Sequence, residues 1–167
     1  MKKILLLIVI FSISTSCFAQ KFGVGVQSSF YTHGISVKFR MNDYNAIQGV
    51  VSLLGSYSEY TARYMRGFQE HDIGGAVTFQ PYAVGMVSLQ TFYYNSPYID
   101  DTHGVGFGIG GGTAWRFSAV DNLEVSAEIA YRTTTASLTH TYSSYTYTAY
   151  NYFPIHIAFG AHYYFGN

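Results

Sequence analysis

The chain has 167 residues, of which 11% are charged and 19% aromatic, and its nine basic and nine acidic residues leave no formal net charge. A soluble domain usually carries about 25% charged residues, so this composition is unusual for one. The length suits a single domain, and the sequence has no basic stripe, which argues against a nucleic-acid partner.

Residues 1–19 have the layout of a secretory signal peptide. Met1-Lys2-Lys3 is basic, residues 4–13 form an apolar run too short to span a bilayer, and Ala19 is a small residue before Gln20. We expect cleavage after Ala19 and one mature domain over residues 20–167. The alternative is lipidation at Cys17. Cleavage after Ala19 would remove this single cysteine, leaving neither a disulfide nor a thiol nucleophile.

The rest of the chain alternates between apolar and polar residues in short segments separated by polar turns, which predicts β-strands. Most segments are near the roughly 9 to 11 residues that cross a bilayer at a tilt. The predicted fold is an all-β, eight-stranded, antiparallel up-and-down transmembrane barrel. The predicted strands are Phe22–Phe30, Gly34–Met41, Ala46–Tyr57, Tyr60–Gln69, Tyr82–Tyr94, His103–Ser118, Leu123–Thr134 and Pro154–Phe165.

The connections predict an orientation. Asn42–Asn45 and Ala119–Asn122 are short and would be periplasmic, whereas Asn95–Asp101 and Ala136–Tyr150 are longer and would lie outside, as in outer-membrane barrels. Glu70–Pro81 is too long for a periplasmic turn and stays unassigned. Two further outer connections are predicted to be very short, at Tyr31–His33 and Ser58–Glu59.

The last predicted strand has one apolar face and ends on aromatic residues. Its glycine and two alternating aromatics, Gly160, Tyr163 and Phe165, are similar to the barrel-assembly signal of outer-membrane proteins. The whole mature chain resembles the small eight-stranded outer-membrane barrels, in the broad class of outer membrane proteins A, X and W and the opacity proteins. The Phe-Ala-Gln cleavage context and the Asn-Ala-Ile-Gln-Gly strand start resemble barrels from the Bacteroidota. The resemblance implies the outer membrane of a Gram-negative bacterium, with membrane lipid and the barrel-assembly machinery as partners, and no specific activity.

If the apolar faces meet lipid, the polar faces point into a lumen just wide enough for side chains to fill. Charges there must pair, and Glu124 lies across a turn from Arg116, whereas Glu128 and Arg132 are about 13 Å apart on one strand. We expect a salt-bridge plug; a gated ion path or a catalytic carboxylate pair is the alternative. The predicted lumen network comprises Lys38, Arg40, Arg63, Arg116, Glu124, Glu128, Arg132, His156 and His162.

Residues 106–111 match the glycine spacing of a dinucleotide-binding loop, but no helix follows and the glycines lie within an alternating strand. We interpret them as room for large inward side chains on neighbouring strands, with a small-ligand cavity as the alternative. His156 and His162 are about 20 Å apart and cannot share a metal. Asp100, Asp101 and His103, like His71-Asp72, could bind a cation only weakly, so we expect no metal or cofactor.

The segment Thr133–Phe153 is rich in tyrosine, serine and threonine. Tyr142, Tyr145 and Tyr147 are candidates for contact with an unidentified surface ligand, because tyrosine and serine make adaptable binding surfaces. A lipid-modifying catalyst would need Ser, His and a carboxylate to converge. Only His140, near Ser137, Ser143 and Ser144, offers a loose match.

These observations favour a monomeric, non-enzymatic outer-membrane barrel with a structural or surface-interaction role. One alternative is a lipid-modifying or small-molecule transport barrel. A second is a secreted, soluble lipocalin-like barrel. Its lumen would be lined by Ile35, Val37, Phe39, Leu123, Val125 and Ile129.

Overall fold

A computed structural model describes residues 21–30, 32–54, 57–93, 101–139, 146–150 and 154–165. These residues form ten β-strands and no α-helix. Among them, no helix is long and apolar enough to cross a membrane. The strands are β1 Phe22–Ser29, β2 His33–Arg40, β3 Asn45–Leu54, β4 Tyr57–Gly67, β5 His71–Ile73, β6 Val77–Phe92, β7 Thr102–Phe117, β8 Val120–Thr139, β9 Thr146–Tyr150 and β10 Ile155–Tyr164.

Eight of these strands close into an antiparallel barrel. Neighbours in sequence pair in the order β1, β2, β3, β4, β6, β7 and β8, and β10 closes the sheet by pairing with both β8 and β1. The amide of Phe165 donates to the carbonyl of Phe22 at 3.1 Å, so both ends of the barrel chain meet at one rim. We call this rim the terminal end. The predicted eight-stranded antiparallel barrel is confirmed.

The pairing register sets the width of the barrel. A path of paired residues that starts at Glu124 and passes once around all eight strands returns to β8 at Thr134, ten residues further along. Such a stagger tilts the strands by roughly 35 to 45° and gives eight strands an interior that side chains fill.

The two faces of the barrel wall differ in chemistry. Apolar side chains lie outside, and Ile35 and Ile129 are 67% and 59% exposed. Val37 is exposed as well, and Phe39, Leu123 and Val125 are half-buried on the same outer face. The lipocalin-like alternative required these six residues to line the lumen, and that prediction is wrong. Inside are buried polar residues, including Lys38, Arg63 and Glu124.

Three predicted connections are wrong in position. Ser58 and Glu59 belong to β4 and pair with Leu53 and Ser52, so they are not an outer turn, and Tyr57 begins β4 instead of ending β3. The turn predicted over Ala119–Asn122 is Ser118-Ala119, because Val120 already pairs with Phe117 across a register shift. His33, predicted in a turn, begins β2.

Two hairpins extend beyond the barrel. The unassigned segment Glu70–Pro81 contains β5, which pairs with the start of β6 at the terminal end. Gly74 and Gly75 join them with positive φ of 66° and 72°, which glycine adopts without strain. At the opposite end β8 continues to Thr139 and pairs with β9, so the predicted connection Ala136–Tyr150 is partly strand.

Candidate functional site

The lumen carries ion pairs at three levels because β8 places Glu124, Glu128 and Arg132 on its inner face at four-residue intervals. In a strand, such residues share a face and lie about 13 Å apart. Each therefore finds its partner on another strand. The partners come from β2, β4 and β7.

The level nearest the terminal end is centred on Glu124. Its carboxylate accepts hydrogen bonds from Lys38 Nζ at 2.6 Å and Arg40 Nη2 at 2.5 Å, and Arg116 Nε lies 3.5 Å away. The Tyr164 hydroxyl donates to the same carboxylate at 3.4 Å, and the Arg40 guanidinium lies 3.8 Å from the centre of the Tyr164 ring. Three cations thus converge on one carboxylate that is only 2% exposed.

The middle level pairs Arg63 with Glu128, both almost fully buried. Tyr82 donates its hydroxyl to Glu128 at 3.2 Å, and Arg63 donates to Gln48 Oε1 at 3.0 Å. The amide of Gln48 in turn donates to Ser36 Oγ at 2.6 Å. His162 joins this chain, with its Nε2 2.8 Å from Ser36 Oγ.

The level furthest from the terminal end pairs Arg132 with Glu59 at 2.8 Å. Glu59 also accepts hydrogen bonds from the hydroxyls of Thr61, at 2.5 Å, and Tyr57. Arg132 Nη2 donates to Ser88 Oγ at 2.8 Å. Side chains on three strands therefore meet across the lumen at this height.

The nine predicted lumen residues are buried to different degrees. Lys38, Arg63, Glu124, Glu128, Arg132 and His162 are buried, whereas Arg40, Arg116 and His156 are half-buried. Arg116 and Glu124 pair as expected from the turn between them, and Arg116 also reaches Glu70 at 3.0 Å. Glu59 is the charged partner missed by sequence reasoning, because it was assigned to a turn. Its alternation with Thr61 and Arg63 was the signal that could have placed it inside.

The glycines of β7 make room for the large lumen side chains. A Cβ atom on Gly108 would lie 2.8 Å from Met86 Cγ, and one on Gly112 would lie 2.7 Å from the Tyr82 hydroxyl. At Gly110 the obstacle is backbone, since its Cβ would come within 2.4 Å of the Ile129 carbonyl oxygen. The space along this strand is therefore filled by neighbouring side chains and strands.

The remaining predicted site residues lie apart from these ion pairs or beyond the described part of the chain. Gly160 faces inward, whereas Tyr163 and Phe165 are exposed on the outer face at the terminal end, with their rings edge-to-face at 5.7 Å. Tyr147 belongs to β9. Tyr142, Tyr145, His140, Ser143, Ser144 and Asp100 lie outside the described residues.

Within the described ranges, no group of three or more His, Cys, Asp or Glu side chains is placed to hold a metal ion. His103 instead lies 3.1 Å from the Thr91 hydroxyl on the outer wall. Among the described residues, the lumen holds fixed, paired charges, with cations on Lys38, Arg40, Arg63, Arg116 and Arg132 against the carboxylates of Glu59, Glu124 and Glu128.

A solved structure resembles the chain in fold. No family model matches it, and no curated protein does. Among solved structures, the N-terminal β-barrel domain of Pseudomonas aeruginosa OprF is similar, with a TM-score of 0.58 over 86% of this chain and 95% of that one. The two sequences are 13% identical, so the likeness supports a shared barrel architecture and no shared activity.

Proposed function

We propose that the protein is an integral outer-membrane β-barrel of a Gram-negative bacterium, with a structural or surface-interaction role and no catalytic activity. One observation carries the proposal. The barrel exposes apolar side chains around its outer wall and buries six charged side chains inside, which is the reverse of a soluble barrel. These six are Lys38, Glu59, Arg63, Glu124, Glu128 and Arg132.

The outer wall explains why a membrane is the suitable solvent. Phe107, Ile109 and Phe159 are each at least 59% exposed, and similar residues continue around the barrel. In water such a continuous apolar surface would promote association. In lipid, exposing this apolar surface carries no free-energy penalty. A closed barrel also leaves no unpaired strand edge in the hydrocarbon.

The connections favour placing the terminal end in the periplasm. The turns at residues 41–44 and Ser118-Ala119 are short, and the only longer connection described at this end is the β5 hairpin, whereas β6, β7 and β8 extend far at the opposite end. Surface contact would then occur through the segment around Tyr142, Tyr145 and Tyr147. The barrel-assembly machinery would recognise Gly160, Tyr163 and Phe165, and the folded protein would be a monomer.

The three levels of ion pairs favour a structural barrel over a transport barrel. A conducting path would have to break at least the Arg63–Glu128 and Arg132–Glu59 pairs, whose side chains are 8% exposed or less. Unpaired charges in such surroundings are costly. In planar bilayers we therefore expect no steady current, and a stable open conductance would favour the transport alternative.

Cell fractionation followed by gel electrophoresis tests the membrane assignment. We expect the protein in the outer membrane, with faster migration when the sample is not boiled, because a closed barrel resists detergent. A soluble periplasmic protein without a heat-dependent shift would refute the proposal. The variant Ile129→Arg tests the same assignment in the folded protein. It should reduce the fast-migrating band only if the outer wall faces lipid.

A further inference from the structure

The outer wall contains a groove of about 640 Å³ across β2, β3, β4 and β6. This volume falls within the roughly 300 to 1,000 Å³ typical of ligand sites. Small residues, Gly49, Ala62 and Gly85, face outward along it, and Phe39, Ile47 and Val87 are among the larger apolar residues that line it. Much of the remaining wall carries bulkier apolar side chains, although Ala127 and Ala161 on the outer face are also small.

The chain itself does not require the two groove glycines. A Cβ atom on Gly49 or on Gly85 would meet no other atom within 4 Å, and neither residue has a positive φ. Glycine weakens a strand, so glycine where a side chain would fit needs a reason outside the chain. By contrast, glycines of β7 such as Gly110 are needed for close approach of the neighbouring strand.

The groove has a polar lip towards the terminal end. Arg66 lies two residues beyond Tyr64 on β4 and directly beside Asn45 in the register. Its Nη1 donates to Asn45 Oδ1 at 2.9 Å, and Tyr64 donates its hydroxyl to the same oxygen at 2.7 Å. Arg66 is exposed, and within the described strands it is the one lysine or arginine on the outer face. A guanidinium has five donors, so most of those of Arg66 stay free for an anion.

We propose that this groove binds one glycerophospholipid, with an acyl chain over Gly49, Ala62 and Gly85 and the headgroup phosphate on Arg66. The inference rests on the proposed membrane location and deepens it. The apolar trough fits a hydrocarbon chain, and the cation at its lip complements a phosphate, which arginine binds through paired hydrogen bonds. If a second copy of the chain occupied the groove, it would place either another Arg66 or an uncharged apolar wall beside this Arg66. Neither would neutralise the charge of Arg66.

Native mass spectrometry of the full-length protein, released from nanodiscs of phosphatidylethanolamine and phosphatidylglycerol, tests the site. We expect one phospholipid to remain bound to the wild type. Gly49→Leu and Gly85→Leu should reduce the lipid-bound fraction about tenfold by filling the trough, and Arg66→Gln should reduce it similarly by removing a charge-assisted hydrogen bond. Ala127→Leu adds similar bulk on the outer face of β8, and Lys21→Gln removes an exposed cation outside the strands; both should retain the lipid.

The outcomes separate this inference from the proposed function. Wild-type protein that inserts into nanodiscs as a heat-modifiable barrel but retains no lipid would overturn the site and leave the membrane barrel intact. Equal lipid loss in Ala127→Leu would also overturn it, since the lipid would then be unspecific. A dimer disrupted by Gly85→Leu would assign the groove to a second copy instead. Failure of the wild type to insert would refute the proposed function itself.

Discussion

The inner and outer faces of the barrel wall are made by the same strands but follow different rules. On β8, Glu124 and Glu128 point inward to named partners, whereas the residues next to them, Val125 and Ile129, point outward and pair only with their strand neighbours. The stability of the inner face depends on specific pairs of residues. The outer face depends mainly on being apolar, since any hydrocarbon can cover it.

The glycines show the same contrast. Gly110 cannot carry a Cβ without displacing the β8 backbone, so its identity is set by packing within the chain. Gly49 faces open space, so nothing inside the protein sets its identity. A residue's tolerance to substitution should therefore follow the face on which it lies, and four substitutions test this.

The largest effect is expected at Glu124. Glu124→Gln leaves Lys38, Arg40 and Arg116 around a neutral side chain, and breaking a buried ion pair costs about 3 to 5 kcal/mol. Urea unfolding in lipid vesicles would measure the loss. Glu70→Gln is the control, because Glu70 pairs with Arg116 at the surface and its loss should cost less than about 1 kcal/mol. Equal losses of unfolding free energy in the two variants would contradict the idea that the inner face depends on specific pairs.

A charge on the outer face should have the next largest effect. Ile129→Arg is expected to lower the free energy of unfolding by about 2 to 4 kcal/mol, because Ile129 lies near the middle of β8 and would face hydrocarbon. Ile73 is as exposed, 58% against 59%, but lies in the β5 hairpin beyond the barrel. Ile73→Arg should therefore change stability by less than about 0.5 kcal/mol. If the two variants behaved alike in vesicles, the outer wall would not face lipid.

Gly110→Ala should destabilise the barrel by about 1 to 3 kcal/mol, the usual cost of overpacking. The added methyl would come within 2.5 Å of Ala130 Cα as well as the Ile129 carbonyl, and backbone cannot move aside as a flexible side chain can. The midpoint of thermal unfolding, followed by the loss of the fast-migrating band, would report it. An unchanged midpoint would show that β7 and β8 are packed less closely than we describe.

The smallest effect is expected at Gly49, and in the opposite direction. Gly49→Ala should stabilise the barrel by about 0.5 to 1 kcal/mol, because alanine loses less backbone entropy in a strand and its methyl meets nothing. The same urea titration would detect the gain. Destabilisation at Gly49 as large as that at Gly110 would remove the distinction between the two sets of glycines.

Much of the fold followed from local pattern. Alternation in segments such as Gly34–Met41 predicted which residues share a face, and the structure has Ile35 outside and Lys38 inside. The β5 hairpin was not predictable, because Glu70–Pro81 lacks a clear period and its turn depends on Gly74 and Gly75. Glu59 was assigned to a turn because a polar pair between two strand patterns is typical of turn chemistry.

The sequence by itself determined the number of barrel strands, their antiparallel order and the two chemically distinct faces, since each depends on neighbours close in the chain. The turn between β7 and β8 already predicted Arg116 as a partner of Glu124, but only the tertiary structure decided the other partners: Arg63 with Glu128, Arg132 with Glu59, and Lys38 and Arg40 with Glu124. These pairs cross a closed barrel whose ten-residue stagger brings distant strands to one height. Periodicity along a strand carries no information about that stagger, so no local pattern could supply them.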